Sequence, residues 1–424
     1  MMNPSLKIGY ACLNLDLDRS FKTCRFTNLT NEKWIELISW NLETLKQMLI
    51  YTANHKIKML RLSSDIIPFA TKEKAGVDLD WRMYFQNEFD EIKNLIHVFD
   101  IRISFHPGQY TVLNSPKSDV VARAIADLNY HADLLALLGG NQSNKMVIHI
   151  GGIYGDKEAA IKRFIQITNQ LSNKIRRHLV IENDERLFTI EDVLYISQQT
   201  KLPVVFDNLH FDILKPENCR SMKEYIQLAK QTWGINDGRQ AIHYSQQAVN
   251  KKPGAHTRTT AVHPFIGFIQ ENINDPIDIM LEVKDKNRSA EKIQVYLNQD
   301  IQAAEKLWAR YKYAVMAKSL RIYQNIRELL KDKTHTDFET FIYLLETAEK
   351  LPDDIGNELN TGQHIWGYFK HQATDKERNK FKHTQVALQN QEISVIQFRR
   401  YLKQLLRKYP NQYLANSIYF KPFK

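Results

Sequence analysis

Short apolar runs recur along the first two thirds of the chain, and most of them end on an ionisable side chain. Ile101–His106, Met146–Ile150, His178–Glu182, Pro203–Asp207, Gln240–His243 and Asp278–Val283 carry His106, His149, Glu182, Asp207, His243 and Glu282 at or next to their ends. Two earlier runs, Leu6–Leu13 and Lys58–Leu62, are followed by Asn14 and by Ser63 and Ser64. Their length and β-branched content predict buried strands. Between the runs, apolar residues recur at helical spacing. Trp81, Phe85, Phe89, Ile92, Leu95, Ile96 and Phe99 form one face after Asp80; Val121, Ile125, Leu128, Leu134, Leu135 and Leu138 form another, ended by Gly139 and Gly140. Asn31–Thr52, Lys157–Asn173, Thr189–Thr200 and Met222–Gln231 also read as helices.

Strand and helix thus alternate eight times over about 290 residues, which predicts a (β/α)8 TIM barrel of the α/β class. A doubly wound open sheet is the alternative, but it gathers ligands at one switch point rather than at nearly every strand end. A core gains nothing from an ionisable group at each strand end. A barrel whose C-terminal mouth holds metal ions does.

Beyond about Ala290 the strand-like runs cease. Gln294–Asn325 reads as a helical connector that begins as the last barrel helix, and the rest reads as a separate all-α domain. The expected division is a barrel over 1–295 and a helical domain over 305–424. No run approaches the ~20 apolar residues of a membrane helix. The start, Met1-Met2-Asn3-Pro4, lacks a secretory pattern. Three cysteines without paired spacing disfavour a disulfide framework or a thiolate metal site. A cytoplasmic, nucleoid-associated monomer is expected. The net charge is +10, and from Arg378 onward ten Lys or Arg face one acid, Glu392. That excess favours a polyanionic partner, with a solvated helix face as the alternative.

The candidate chemistry lies at the strand ends. In His106-Pro107-Gly108-Gln109-Tyr110, Pro107 cannot continue a strand and Gly108 suits a sharp turn, so His106 stays at the rim while Gln109 and Tyr110 project beyond it. Gly151 and Gly152 after His149 allow close backbone approach. Glu182-Asn183-Asp184-Glu185 puts three acids in four residues, which repel unless a cation or helix start offsets them. Glu182 is the preferred ligand; Asp184 or Glu185 suits capping or the surface. Asp207 and His210 can converge on one ion. His243 and His256 are joined by a loop holding Lys251, Lys252 and Gly254, which suits phosphate. Lys284, two residues after Glu282, is expected on the same face. Glu182, His243 and Lys284 are the expected catalytic residues.

Pooled, the donors are five His and three carboxylates with no thiolate: His106, His149, Glu182, Asp207, His210, His243, His256 and Glu282. Such a set suits Mn²⁺, Zn²⁺ or Fe²⁺ rather than Ca²⁺. It exceeds what one ion uses, so two or three divalent ions are implied. Clustered ions of this kind serve phosphodiester displacement. A single-metal sugar isomerase on the same fold is the alternative.

These residues, with Ile8-Gly9-Tyr10, Asn14, Ile67-Pro68-Phe69 and Glu182–Arg186, resemble the UV damage endonucleases over roughly residues 6–290. The resemblance implies a metal-dependent DNA repair enzyme, Mn²⁺-using with Zn, Fe or Co as alternatives. It would nick double-stranded damaged DNA 5′ of a UV photoproduct. It implies the eight ligands above, with His256 nearby rather than central, a damage-probing pair at Gln109 and Tyr110, and pocket-lining roles for Tyr10 and Asn14. Two positions depart from several relatives. Ala241 stands where they carry Lys, and Lys72 stands near where they carry His. An abasic-site endonuclease and a non-catalytic damage-binding protein therefore stay open as rivals. The tail, through Tyr311–Ser319, Asn360, His364–Lys370 and Tyr409–Leu414, resembles the small helical YbgA-like domains of unknown function. His364 and His371 are alternative ligands there, against a core or surface role.

Overall fold

Each strand is a four- or five-residue, largely apolar segment, and most are followed at once by a polar residue. A computed structural model describes residues 6–421. Its strands are β1 Lys7–Ala11, β2 Met59–Leu62, β3 Arg102–Phe105, β4 Met146–His149, β5 Leu179–Glu182, β6 Val204–Asp207, β7 Ala241–Tyr244 and β8 Asp278–Leu281. They pair in sequence order, all parallel, and β8 closes on β1. The predicted barrel is therefore the observed one. Helices cover its outside, which is why most strands are apolar on both faces.

The two-residue period of a strand sets the interior. Ala11, Met59, Ala241 and Met280 pack together inside, as do Val147, Val180 and Val205. Two residues further along the strands stand Arg61, His149, Glu182, Asp207, His243 and Glu282. Parallel register brings them to similar heights, with His149 opposite Glu182 and Asp207 opposite His243. Below the apolar layer a buried Arg102 holds Asp278 at 2.8 Å and donates to the carbonyls of Ser143 and Arg239.

Three predicted helices are divided in the structure. The 81–99 face holds, but the chain breaks at Phe85 between Trp81–Tyr84 and Gln86–Phe99. Lys157–Gln170 stops at an extended Leu171, before a separate turn Asn173–Arg176. The 294–325 connector is three helices, Asn287–Asn298, Ile301–Lys318 and Leu320–Leu329. Gln299 is left-handed, and the side chains of Asp300 and Ser319 cap the helices after them.

The chain divides into two compact units. One runs to Thr260 and resumes over Pro264–Ala290; the other comprises Ala261–His263 and the described residues from Glu291 onward. The second unit is helical. Its core gathers Tyr313, Met316, Ile365, Phe369, Phe381, Phe398, Leu402, Leu405, Leu414 and Phe420. Gly362 lets two helices approach closely: a Cβ there would lie 2.5 Å from Cζ of the buried Phe398. Glu358, fully buried, is held bidentately by Arg399 at 3.0 and 2.6 Å and by the Tyr419 hydroxyl. No helix among the described residues is long and apolar enough to cross a membrane.

Candidate metal centre

The barrel mouth converges on one carboxylate. Glu182 ends β5 and is 1% exposed. Its Oε2 lies 3.1 Å from Nε2 of His106 and 3.5 Å from Nε2 of His149. Its Oε1 lies 2.6 Å from Nδ1 of His243 and 4.0 Å from Nδ1 of His210. His106, His149 and Glu182 form one three-donor group, and Glu182, Asp207 and His243 form another. In each group the donor atoms lie within 4.8 Å of one another. The two groups share Glu182.

Neighbouring side chains hold these donors in place. Asn183 donates to the Asp207 carbonyl and accepts from the Asp207 amide, at 3.1 and 2.9 Å, fastening the ends of β5 and β6. Asn208 does the same for Ser245 after β7, at 3.0 and 2.8 Å. Nδ1 of His210 lies 2.9 Å from the Asn183 carbonyl, and its backbone amide donates to Oδ1 of Asp207. Gly151 has φ 113°, and a Cβ there would lie 2.4 Å from Oδ1 of Asn114, so the close approach after His149 requires glycine. Gly108 differs from expectation: it is not left-handed, and a Cβ there would touch nothing. The turn after His106 rests on Pro107.

Charges in the mouth offset one another. Burial alone would raise the Glu182 carboxyl, but His243 and His149 hold it well below the usual range. Burial pushes Asp207 up to about 6, His210 opposing and Glu182 reinforcing the shift. Burial would lower His210, yet Asp207 and Glu182 raise it to about 9. Burial lowers His149 and His256. Two buried atoms of the cluster, Nδ1 of His149 and Oδ2 of Asp207, have no hydrogen-bond partner. A buried carboxylate oxygen left unpaired is costly, and a divalent cation among neutral imidazoles and carboxylates satisfies it. The donor set therefore fits divalent transition ions.

The remaining expected residues divide into those at the mouth and those away from it. His256 returns to it on a loop closed by the Gln247–His256 bridge, with Nδ1 3.9 Å from Oε2 of Glu282. Lys251 and Lys252 lie exposed on that loop. Gln109 is exposed and Tyr110 is 84% exposed. Tyr10 points away from the barrel interior. Its side chain alternates to the opposite face of β1 from Ala11, is fully buried, and bonds Thr52 at 2.9 Å. Asn14 donates to that same hydroxyl and accepts from the Asp16 amide, so it holds a turn. Lys284 is exposed, because β8 ends at Leu281 and strand alternation no longer applies; burial lowers the half-buried Lys286 amine, Arg61 adding to the shift and Glu282 opposing it. Asp184 caps its loop, accepting from the amides of Arg186 and Leu187 at 2.7 and 2.6 Å. Lys72 sits over the rings of Phe26 and Phe69. Ala241 lies in the apolar layer, and His364 and His371 are exposed. The residue that sequence reading missed is Arg61, whose Nη1 donates to Oε1 of Glu282. A lone charge two residues after Met59 in an apolar strand was its signal.

A closed parallel barrel with imidazole and carboxylate donors at its C-terminal mouth defines the class: (β/α)8 proteins whose active centre sits at the strand ends. Within it, the chain belongs to the UV-endonuclease UvdE family, whose family model matches residues 6–315. Residues 312–424 match a protein of unknown function, DUF1722. The UV DNA damage endonuclease of Clostridium perfringens is 34% identical over 397 residues, covering 89% of this chain and 94% of the relative. That of Bacillus mycoides is 35% identical over 250 residues, covering 58% of this chain and 77% of the relative. The crystal structure of SacUVDE aligns with a TM-score of 0.65 at 38% identity, covering 69% of this chain and 98% of that one.

Proposed function

We propose that the chain nicks double-stranded DNA on the 5′ side of UV photoproducts by metal-dependent phosphodiester hydrolysis. The observation that carries this reading is Glu182, one carboxylate shared by two three-donor groups at the barrel mouth. In this reading His106, His149, Asp207, His210, His243, Glu282 and His256 hold two or three ions with it, Mn²⁺ first among the candidates. Bound divalent ions supply an activated water and stabilise the charged oxygens of the displacement. The water oxygen joins phosphorus, the bond to the 3′ oxygen breaks, and that oxygen takes a proton, leaving 3′-hydroxyl and 5′-phosphate ends.

The other residues act on the duplex. Tyr110 stands in water next to Gln109, beyond a turn that Pro107 stiffens. A lesion lowers the cost of opening the stack, and an exposed ring can occupy the opening. Lys251 and Lys252 meet phosphate from the loop that carries His256. The test is UV-irradiated plasmid incubated with the protein and Mn²⁺, scored for nicked circles. Nicking that needs both irradiation and metal supports the reading. Full activity of chelator-treated, metal-free protein sinks the metal role, and damage binding without nicking favours a non-catalytic protein.

A further inference from the structure

Glu282 differs from the other acids of the mouth in already having a fixed cation. Arg61 donates through Nη1 to its Oε1, and the two side chains are only 11% and 12% exposed. The same Oε1 lies 3.3 Å from Nδ1 of His243. The other oxygen faces His256 at 3.9 Å. Both three-donor groups contain Glu182, and neither contains Glu282 or His256. The mouth is thus asymmetric: one side is free of fixed cations and the other carries a guanidinium on its carboxylate.

We propose that Arg61 is a positioning residue that divides the mouth into tight and loose metal positions. Ions at the two groups sharing Glu182 bind tightly. An ion at Glu282 and His256 must share Glu282 with Arg61, binds more weakly and exchanges. This rests on the metal-dependent reading above. The physical ground is competition for one carboxylate. A dication arriving at Oε2, beside His256, meets a guanidinium already bonded to Oε1 of the same group, where burial makes their repulsion stronger than in water. Arginine cannot relieve the conflict by losing its proton, as histidine can. Nor does it leave readily, since breaking a buried ion pair strands a charge.

The test is calorimetric titration of full-length, chelator-treated protein with Mn²⁺ alone. Wild type should show tight binding followed by a weaker class. Arg61→Met should tighten the weaker class by about tenfold or more, the scale of outer-shell effects on metal affinity, and leave the tight class unchanged. Arg61→Lys should keep the weak class weak. Glu282→Gln should remove the weak class alone. Circular dichroism checks folding. If Arg61→Met does not fold, Glu282→Gln still decides, because loss of a tight class in that variant overturns the inference. A single affinity class in wild type, or an unchanged weak class in a folded Arg61→Met, overturns it too. Absence of any Mn²⁺ binding instead removes the metal-dependent reading itself.

Discussion

Glu182 and His243 stand on strands that are not neighbours in the barrel, yet Oε1 of one lies 2.6 Å from Nδ1 of the other. The contact crosses the barrel interior above a layer of valine, alanine and methionine. Since Glu182 also faces His106 and His149 with its other oxygen, one side chain on β5 links donors at the ends of β3, β4 and β7. Replacing it should therefore affect every ion at once.

Glu182→Gln is expected to abolish nicking of irradiated plasmid and to lower the metal content of purified protein, with the fold retained. An amide keeps the shape but is a far weaker ligand. Metal analysis beside the nicking assay checks this. A variant that keeps its full metal complement would show that Glu182 is not the shared ligand.

Metal affinity should rise with pH. His210 is raised to about 9 and His243 is raised as well, carboxylates favouring the protonated form of each against the effect of burial. A ligand imidazole must be neutral, so an incoming ion displaces those protons. Apparent Mn²⁺ affinity should therefore climb as pH rises towards about 9 and then level off, with protons released on binding. Titrations in buffers of different ionisation enthalpy count the protons. Affinity that does not change between about pH 7 and pH 9 would place His210 outside the ligand set.

Lesion entry makes a separate prediction. Tyr110 is 84% exposed, so its removal leaves no cavity. Aromatic stacking on a base contributes roughly 1–3 kcal/mol. Changing Gln109 and Tyr110 together to Ala should weaken binding to damaged duplex by about tenfold or more, while metal content and thermal stability stay as in wild type. Equal binding by mutant and wild type would remove the pair from recognition.

The barrel and most of the donor set were legible because strand periodicity is local. An ionisable residue at the end of an apolar run announces both the strand and its mouth. Arg61 obeys the same period, but it is a charge inside a run, where a search for donors at the run ends does not look. The same period explains where Tyr10 and Lys284 lie. Tyr10 alternates outward from Ala11, and Lys284 lies past the end of β8, where alternation stops. The divided helices turn on Asp300 and Ser319 acting as caps, and such residues are also common on helix surfaces. Least legible were long-range partners. Nothing near Arg399 shows that Glu358, forty-one positions earlier, takes its charge.

That pairing changes the expectation for the basic tail. On the helix Val395–Lys408, the spacing of Arg399, Lys403 and Arg407 puts them on one stripe that could follow a phosphate backbone, with Arg400 beside it. Arg399 is committed to Glu358, Lys408 to Glu377 at 2.7 Å, and Lys403 donates to the Phe420 carbonyl at 3.0 Å. Among the described residues, Arg400 and Arg407 keep no acidic partner. If this helix meets DNA, those two cations make the contact. Changing both to Ala should weaken binding to damaged and undamaged duplex alike and reduce the slope of log affinity against log salt by about 0.9 per lost phosphate contact. Arg399→Ala should act differently. It strands a buried carboxylate and should lower thermal stability by about 3–5 kcal/mol, as breaking a buried ion pair does. A helical unit that docks protein instead would leave both affinity and salt slope unchanged in the Arg400 and Arg407 double variant. Binding titrations at three salt concentrations, run beside thermal melts of all variants, separate a lost DNA contact from a damaged fold.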